Sequence, residues 1–433
     1  MPAAPSLLIV PYRSKTGKLY SQIPTSGAGD FTVTRNTEAR RFTSAGLIAS
    51  VASGIPRLDY YTSGGTAGCP ALLVEPAATN SILQSTDSAS GWTLSNSMTR
   101  ATIDVIGVSG VNLTVGASGS IGSAGSRYTS PLLTPALNLA SGSTYTISFF
   151  LKKTTAHTIG GYYATIGGAA AGDLGGGFDV SGSFSSGSIY NSALTTNRIR
   201  RVERWGTDVF RCSETFTMTA SGTIEKINLG VLTAVNSTTV APTGTTMGFA
   251  APQLELGSVP TSFIPTTAGT GSRSADVISV SGAVSGSIGQ TEGTIYAEVD
   301  VRTFTSSAAR RIVSLRVDGS NVLSLEINTA STNIEFVATS GGVSVTAVAS
   351  GLTAGISKIA IGYNSAASGT VLYVNGVLRD TKTIAIPNLS AAVFGLGVRG
   401  DGGAGTQLND RIRAAALYTT RLTNAELQSL TTL

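Results

Sequence analysis

From about residue 100 onward, apolar side chains recur at every second position, a period that suits strands and not helices. In Thr144–Lys153 the residues Tyr145, Ile147, Phe149 and Leu151 share one face, with Thr146 and Ser148 on the other. Phe210, Cys212, Phe216 and Met218 repeat the pattern, as do Ile227, Leu229 and Val231, and Met247, Phe249 and Ala251. Beyond residue 290 come Ile295, Ala297, Val299 and Val301, then Val313, Leu315 and Val317, then Leu323, Leu325 and Ile327. Gly-, Ser- and Thr-rich connections separate these runs, as antiparallel sandwiches require. Asn375-Gly376 between two apolar runs predicts a type I′ hairpin, because both positions need φ > 0. A single helix is expected, at the C-terminus. Thr423 and Glu426 have capping-box spacing, and Leu427 and Leu430 would dock it.

At roughly 150 residues per domain, the 433 residues suggest about three domains. The proline-marked connector Val259–Pro265 precedes a boundary near Asp276. Residues 1–85 alternate less cleanly and carry more Pro and Arg, so they read as an irregular arm that needs a neighbour. The expected fold class is all-β: an irregular N-terminal module (1–85), a sandwich (86–275) and a second jelly-roll sandwich (276–433) with one short C-terminal helix.

One histidine (His157) and two cysteines (Cys69, Cys212) exclude a structural zinc site and two-histidine metal motifs. Neither nucleophile-elbow nor P-loop spacing occurs. No cofactor, metal or catalytic residue is expected, and both thiols read as buried. Charged residues are only 12%, with a formal net charge of +5. The one basic cluster, Arg198-Ile199-Arg200-Arg201-Val202-Glu203-Arg204, fits a strand with an exposed arginine row, solvated or subunit-contacting rather than bound to nucleic acid. Long charge-free stretches are interrupted by Gly, Ser, Thr, Asn or Pro, so no membrane insertion is expected. The N-terminus lacks the basic region and apolar run of an export signal.

Three blocks carry a resemblance. Gly46-Leu47-Ile48 with Val51-Ala52 and Pro56-Arg57-Leu58-Asp59-Tyr60 is followed by Leu72-Leu73-Val74-Glu75-Pro76 and Thr79-Asn80. This order resembles the N-terminal module of tailed-bacteriophage structural proteins, with Ala71 and Ala78 where Gly and Arg are usual. The missing Arg would remove a contact typical of that module. Gln253-Leu254-Glu255-Leu256-Gly257, Thr261-Ser262-Phe263-Ile264-Pro265-Thr266 and Arg273-Ser274-Ala275-Asp276 are similar to that group's closing signature for a carbohydrate-binding-module-like sandwich. Residues 277–433 are similar to concanavalin A/laminin-G-like jelly rolls, ending in Arg411-Ile412-Arg413, Leu417-Tyr418 and Leu422–Leu427.

The resemblance implies a non-enzymatic virion protein, displayed as fibre, spike or head decoration and able to hold host surface glycans. It would dock on other virion proteins through residues 1–85 and form a homo-oligomer, by preference a trimer. A purely architectural protein without ligand is the alternative, and a polysaccharide depolymerase the next. For the last, Glu214, Glu225, Glu255, Glu292, Glu298 and Glu326 are scattered singly, and Glu298 and Asp300 share only an ordinary strand face. His157 reads as a surface histidine in a polar turn. Sugar contact needs flat aromatic faces. Trp205, Tyr162 and Tyr163 are the glycan-binding candidates, one of the adjacent tyrosines being expected at the surface, with Trp92 and Tyr190 as further platforms. Gly395–Gly400 spells G-x-G-x-x-G but is followed by a Gly-rich loop instead of a helix. Arg399-Gly400-Asp401 reads as coincidence. Asp401, Asn409 and Asp410 could offer Ca²⁺ oxygens but lack the alternating ligand run, which favours a solvated loop.

Overall fold

The computed structural model describes residues 4–62, 65–86, 91–123, 125–130, 137–154, 156–167, 172–182, 184–190, 193–282, 285–302, 309–328 and 333–433. It is almost entirely antiparallel β-structure arranged in two sandwiches, with one C-terminal helix.

In the first sandwich, a six-stranded sheet runs in the order Thr99–Val105, Val108–Thr114, Thr246–Leu256, Thr144–Lys152, Val209–Met218, Thr195–Arg204. It faces a sheet built around Gly222–Val231, Ile159–Gly167 and Gly172–Asp179. The predicted inner rows form the core between them: Tyr145, Ile147, Phe149, Leu151, Phe210, Cys212, Phe216 and Met218 are all buried. Trp92 joins it, stacked 4.9 Å from Tyr128.

The second sandwich is not made from residues 276–433 alone. Leu7–Ile9 pairs with Asp410–Tyr418 in the register Leu7↔Leu417. Gly65–Val74 pairs with the same strand through Leu72↔Ile412. In the opposite sheet, Phe31–Thr34 pairs with Val277–Val280. Leu7, Ile9, Phe31, Val33, Leu72 and Val74 are core residues of this sandwich. The segment read as a separate arm therefore completes both sheets of the C-terminal jelly roll. The physical reason lies in Asp410–Tyr418: with Glu292–Val301 on one side only, its other edge would be bare. The first sandwich is thus inserted into the second. The chain leaves through Ala78–Asn80 and returns through Gly271–Arg273, and these two crossings pair side by side, Asn80↔Gly271.

Local signals behave as physics requires. Asn375 (φ 51°) and Gly376 (φ 79°) close the expected hairpin. The helix Asn424–Thr431 carries the complete capping box and buries Leu427. Cys212 is buried, and burial pushes its thiol up. Cys69 corrects the expectation of two buried thiols: it is exposed on the part of Gly65–Val74 that extends beyond its pairing with the final strand.

Candidate functional site

The resembling blocks converge. Arg57 Nη1 donates to Glu75 Oε2 at 2.5 Å, while its Nη2 reaches Asp276. Arg35 bonds the other Asp276 oxygen at 3.0 Å, and Arg273 bonds Glu75 at 2.9 Å. Ser262 donates to both Glu75 oxygens, through its backbone N–H and its hydroxyl, each at 2.7 Å. Asn80 ties both crossings, donating to the Pro252 and Ile264 carbonyls and accepting from Leu254 N–H. All these side chains are buried. Burial alone would raise the Glu75 carboxyl, but Arg273 and Arg57 outweigh it and hold it well below the usual carboxylate range. What reads in sequence as a docking signature is therefore an internal latch where the two sandwiches meet. Ala78, at the usual Arg position, lines an open cleft of about 620 Å³ beside this latch.

A second ion cluster lies inside the first sandwich. Glu214 sits in the inward row between Cys212 and Phe216 and is fully buried. It accepts from Arg198 and Arg200, the latter at 3.0 Å, and from the Tyr162 hydroxyl at 3.0 Å. A Cβ on Gly176 would collide with this carboxylate, which accounts for glycine at that point in the facing strand. The arginine row is corrected accordingly. A bulge at Asn197 (φ 50°) sets the register of Thr195–Arg204 so that Arg198 and Arg200 turn inward onto Glu214.

The glycan candidates are also re-placed. Tyr162 is fully buried, and Tyr163, 8% exposed, shares its hydroxyl with Thr165 and Asp173. The expectation that one of them is exposed fails because both faces of Ile159–Gly167 are covered around them. Trp205 is buried between the sandwiches against Phe42, Phe150 and Tyr61. The Tyr190 side chain and Thr155, beside His157, lie outside the described residues. His157 is half-buried, its Nε2 within 2.8 Å of the Leu232 carbonyl oxygen. The oxygens considered for Ca²⁺ do not converge: Arg302 and Arg310 take Asp410, while Arg316 and Arg399 take Asp401.

The structure opens a different site. Outward-facing Arg201 and Glu203, with Arg204 and Phe184, form one wall of a cleft of about 550 Å³. Asp300, Val301 and Arg302 of the second sandwich form the other, with Tyr61 between. Phe184 is 42% exposed, the most accessible aromatic there. Burial raises the Asp300 carboxyl, partly offset by Arg411. Among the described residues, Glu203 Oε2 is buried without a hydrogen-bond partner. Arg302 stays charged because Asp410 and the surrounding carboxylates outweigh its burial. Sequence reasoning missed the cleft because its walls are about 100 residues apart; the only local signal was the Arg/Glu alternation at 201–204.

No family model matches the chain, and no curated protein matches it. Among solved structures it is similar to the Ruminococcus gnavus IT-sialidase CBM40 bound to α2,3-sialyllactose, at 18% identity and TM-score 0.29, covering 34% of this chain and 84% of that one. Domain 4 of AbnA, a GH43 extracellular arabinanase from Geobacillus stearothermophilus in complex with arabinotriose, is similar at 16% identity and TM-score 0.30, covering 36% and 73%. The K499G mutant of NanB sialidase from Streptococcus pneumoniae follows at 13% and 0.31, covering 36% and 26%.

Proposed function

We propose that this protein is a non-enzymatic structural component of a tailed-bacteriophage particle, displayed outward as a homo-oligomer, by preference a trimer. It holds host surface glycans in the cleft between its two sandwiches. The observation that carries the glycan reading is the cleft itself: an accessible aromatic, Phe184, beside cationic and carboxylate groups that offer donors and acceptors to hydroxyls. The virion assignment rests on the sequence blocks at Gly46–Asn80 and Gln253–Asp276. Weak single sites would act through avidity when many copies are displayed. Contact with particle neighbours falls to exposed apolar side chains of the first 85 residues, namely Val10, Tyr12 and Leu47. Deleting residues 1–85 would strip both sheets of the second sandwich, so Tyr12→Ala with Leu47→Ala is the informative variant. It should fold and fail to incorporate into particles.

The glycan reading is tested by multivalent display of the full chain on a glycan array. Binding is expected, with at least a tenfold loss in Phe184→Ala and Arg201→Ala. No binding at high valency leaves the architectural reading. Labelled particles viewed by electron microscopy would place the protein on head, collar or tail.

A depolymerase is the second reading, favoured by one observation: Glu203, with a partnerless oxygen, and Asp300, with a raised carboxyl, face the same cleft from different sandwiches. Reducing-end release from host polysaccharide, abolished by Glu203→Gln and Asp300→Asn, would establish it.

A further inference from the structure

Behind the cleft, where Trp205 meets the N-terminal strands, a small cavity of about 10 Å³ has room for one water-sized particle. Five arginines line it, Arg40, Arg41, Arg211, Arg302 and Arg411, against two carboxylates, Asp59 and Glu75. Most of these charges are matched. Arg411 pairs with Asp59 at 2.7 Å, Arg302 with Asp410, Arg40 with Glu38, and Glu75 belongs to the latch.

Arg41, half-buried, donates to the Leu58 carbonyl and has no carboxylate partner among the described residues; the deeper exception is Arg211. It is 2% exposed, yet among the described residues no carboxylate lies within ion-pair distance of it. Its Nη2 donates only to neutral acceptors, Ser148 Oγ at 3.1 Å and the Thr261 carbonyl at 2.5 Å. Glu203 and Glu255 act on it only from farther away. Among the described residues four donors around the cavity have no partner: Arg41 Nε, Arg211 Nε, Trp205 Nε1 and Arg411 Nη1. The last three belong to side chains that stack together. The Tyr61 and Trp205 ring centroids are 4.4 Å apart, with the Arg411 guanidinium 4.6 Å from the Tyr61 centroid and that of Arg211 6.0 Å from the Trp205 centroid. A guanidinium buried without a counter-charge is strongly destabilising, and each unpaired buried donor adds its own desolvation penalty.

We infer that this cavity binds one monovalent anion of halide size, held by Arg211, Trp205 and Arg411, which supplies the counter-charge missing at the contact between the sandwiches. A water molecule would satisfy one or two donors but leave the Arg211 charge unmatched. A larger anion such as phosphate or a sugar carboxylate does not fit a space of this size.

The test is thermal unfolding of the full chain in sodium chloride, bromide or gluconate at equal ionic strength. Chloride and bromide should raise Tm saturably and gluconate should not, because an anion that binds only the folded state stabilises by mass action. Arg211→Met should lose the halide-dependent part of the rise, with an apparent affinity at least tenfold weaker. Should that variant not fold, ³⁵Cl line broadening with the wild-type protein, relieved by bromide, reports the same site. Identical Tm in chloride and gluconate, together with no broadening, would overturn the proposal.

Discussion

Two of the carboxylate–arginine clusters buried among the described residues look alike and do different work. In the first sandwich, Glu214 collects Arg198, Arg200 and Tyr162, all within 52 residues of it. At the junction, Asp276 collects Arg35 and Arg57 across separations of 241 and 219 residues. The Glu214 arginines keep 10–14% of their side-chain surface exposed, whereas Arg35 and Arg57 keep none. The first cluster fastens the edge strand Thr195–Arg204 to a sandwich that its own strand pairing already defines. The second holds together segments that no local pairing would bring into place, and it does so where water cannot compensate a loss. Similar chemistry is therefore a local fastening in one place and a topological latch in the other.

That difference predicts unequal costs. Asp276→Asn leaves Arg35 with neutral acceptors only and Arg57 with Glu75 as its one remaining carboxylate among the described residues. Unfolding in urea should show a loss of about 3–5 kcal/mol, the range for breaking a fully buried pair. Glu214→Gln should cost about 2 kcal/mol, since its arginines can turn partly to solvent. Equal losses would break the comparison.

The junction also holds two buried glutamates shifted in opposite directions, which gives the latch a pH signature. Glu75 is lowered: burial opposes this, but Arg273 and Arg57 prevail. Glu255 is raised by burial, because its partners are the neutral donors of Gln253 and Thr261, with Arg211 only a weaker influence. A lowered carboxyl contributes stability that is present above its ordinary value of 4.5 and is lost as pH falls below it. A raised one contributes stability that is full below 4.5 and is lost as pH rises through its folded value. The two limbs thus lie on opposite sides of about pH 4.5. Glu75→Gln should flatten the acid limb of a stability–pH curve, and Glu255→Gln the limb above it.

Much of the fold was legible because its signals are local. Alternation of period two located the inner rows of both sandwiches, Asn375-Gly376 the hairpin, and Thr423 with Glu426 the helix start. The role of residues 1–85 was not legible: strands as short as Leu7–Ile9 carry too few residues to display alternation, and their partners lie some 400 positions away. The motif residues Arg57, Asp59, Glu75 and Asp276 were visible as a pattern, but only the inserted topology shows that Arg57, Glu75 and Asp276 face one another while Asp59 faces Arg411. Glu214 did leave a signal. It occupies the inward position between Cys212 and Phe216, and a carboxylate in an apolar row requires buried cations. Arg198 and Arg200, on the next strand, are those cations.

Tyr162→Phe sharpens the comparison at its finest scale, since it removes only the hydroxyl that donates to Glu214 and keeps the ring packed 6.3 Å from Phe149. Two arginines still satisfy the carboxylate, so the expected loss is about 1 kcal/mol by chemical denaturation. Because the ring is enclosed, glycan binding on the array should be unchanged, in contrast to Phe184→Ala. A loss of glycan affinity in Tyr162→Phe without a matching loss of stability would mean that the Glu214 cluster opens to ligand. The local fastening would then be a second binding site, and the contrast with the sealed latch would rest on access to solvent rather than on sequence separation.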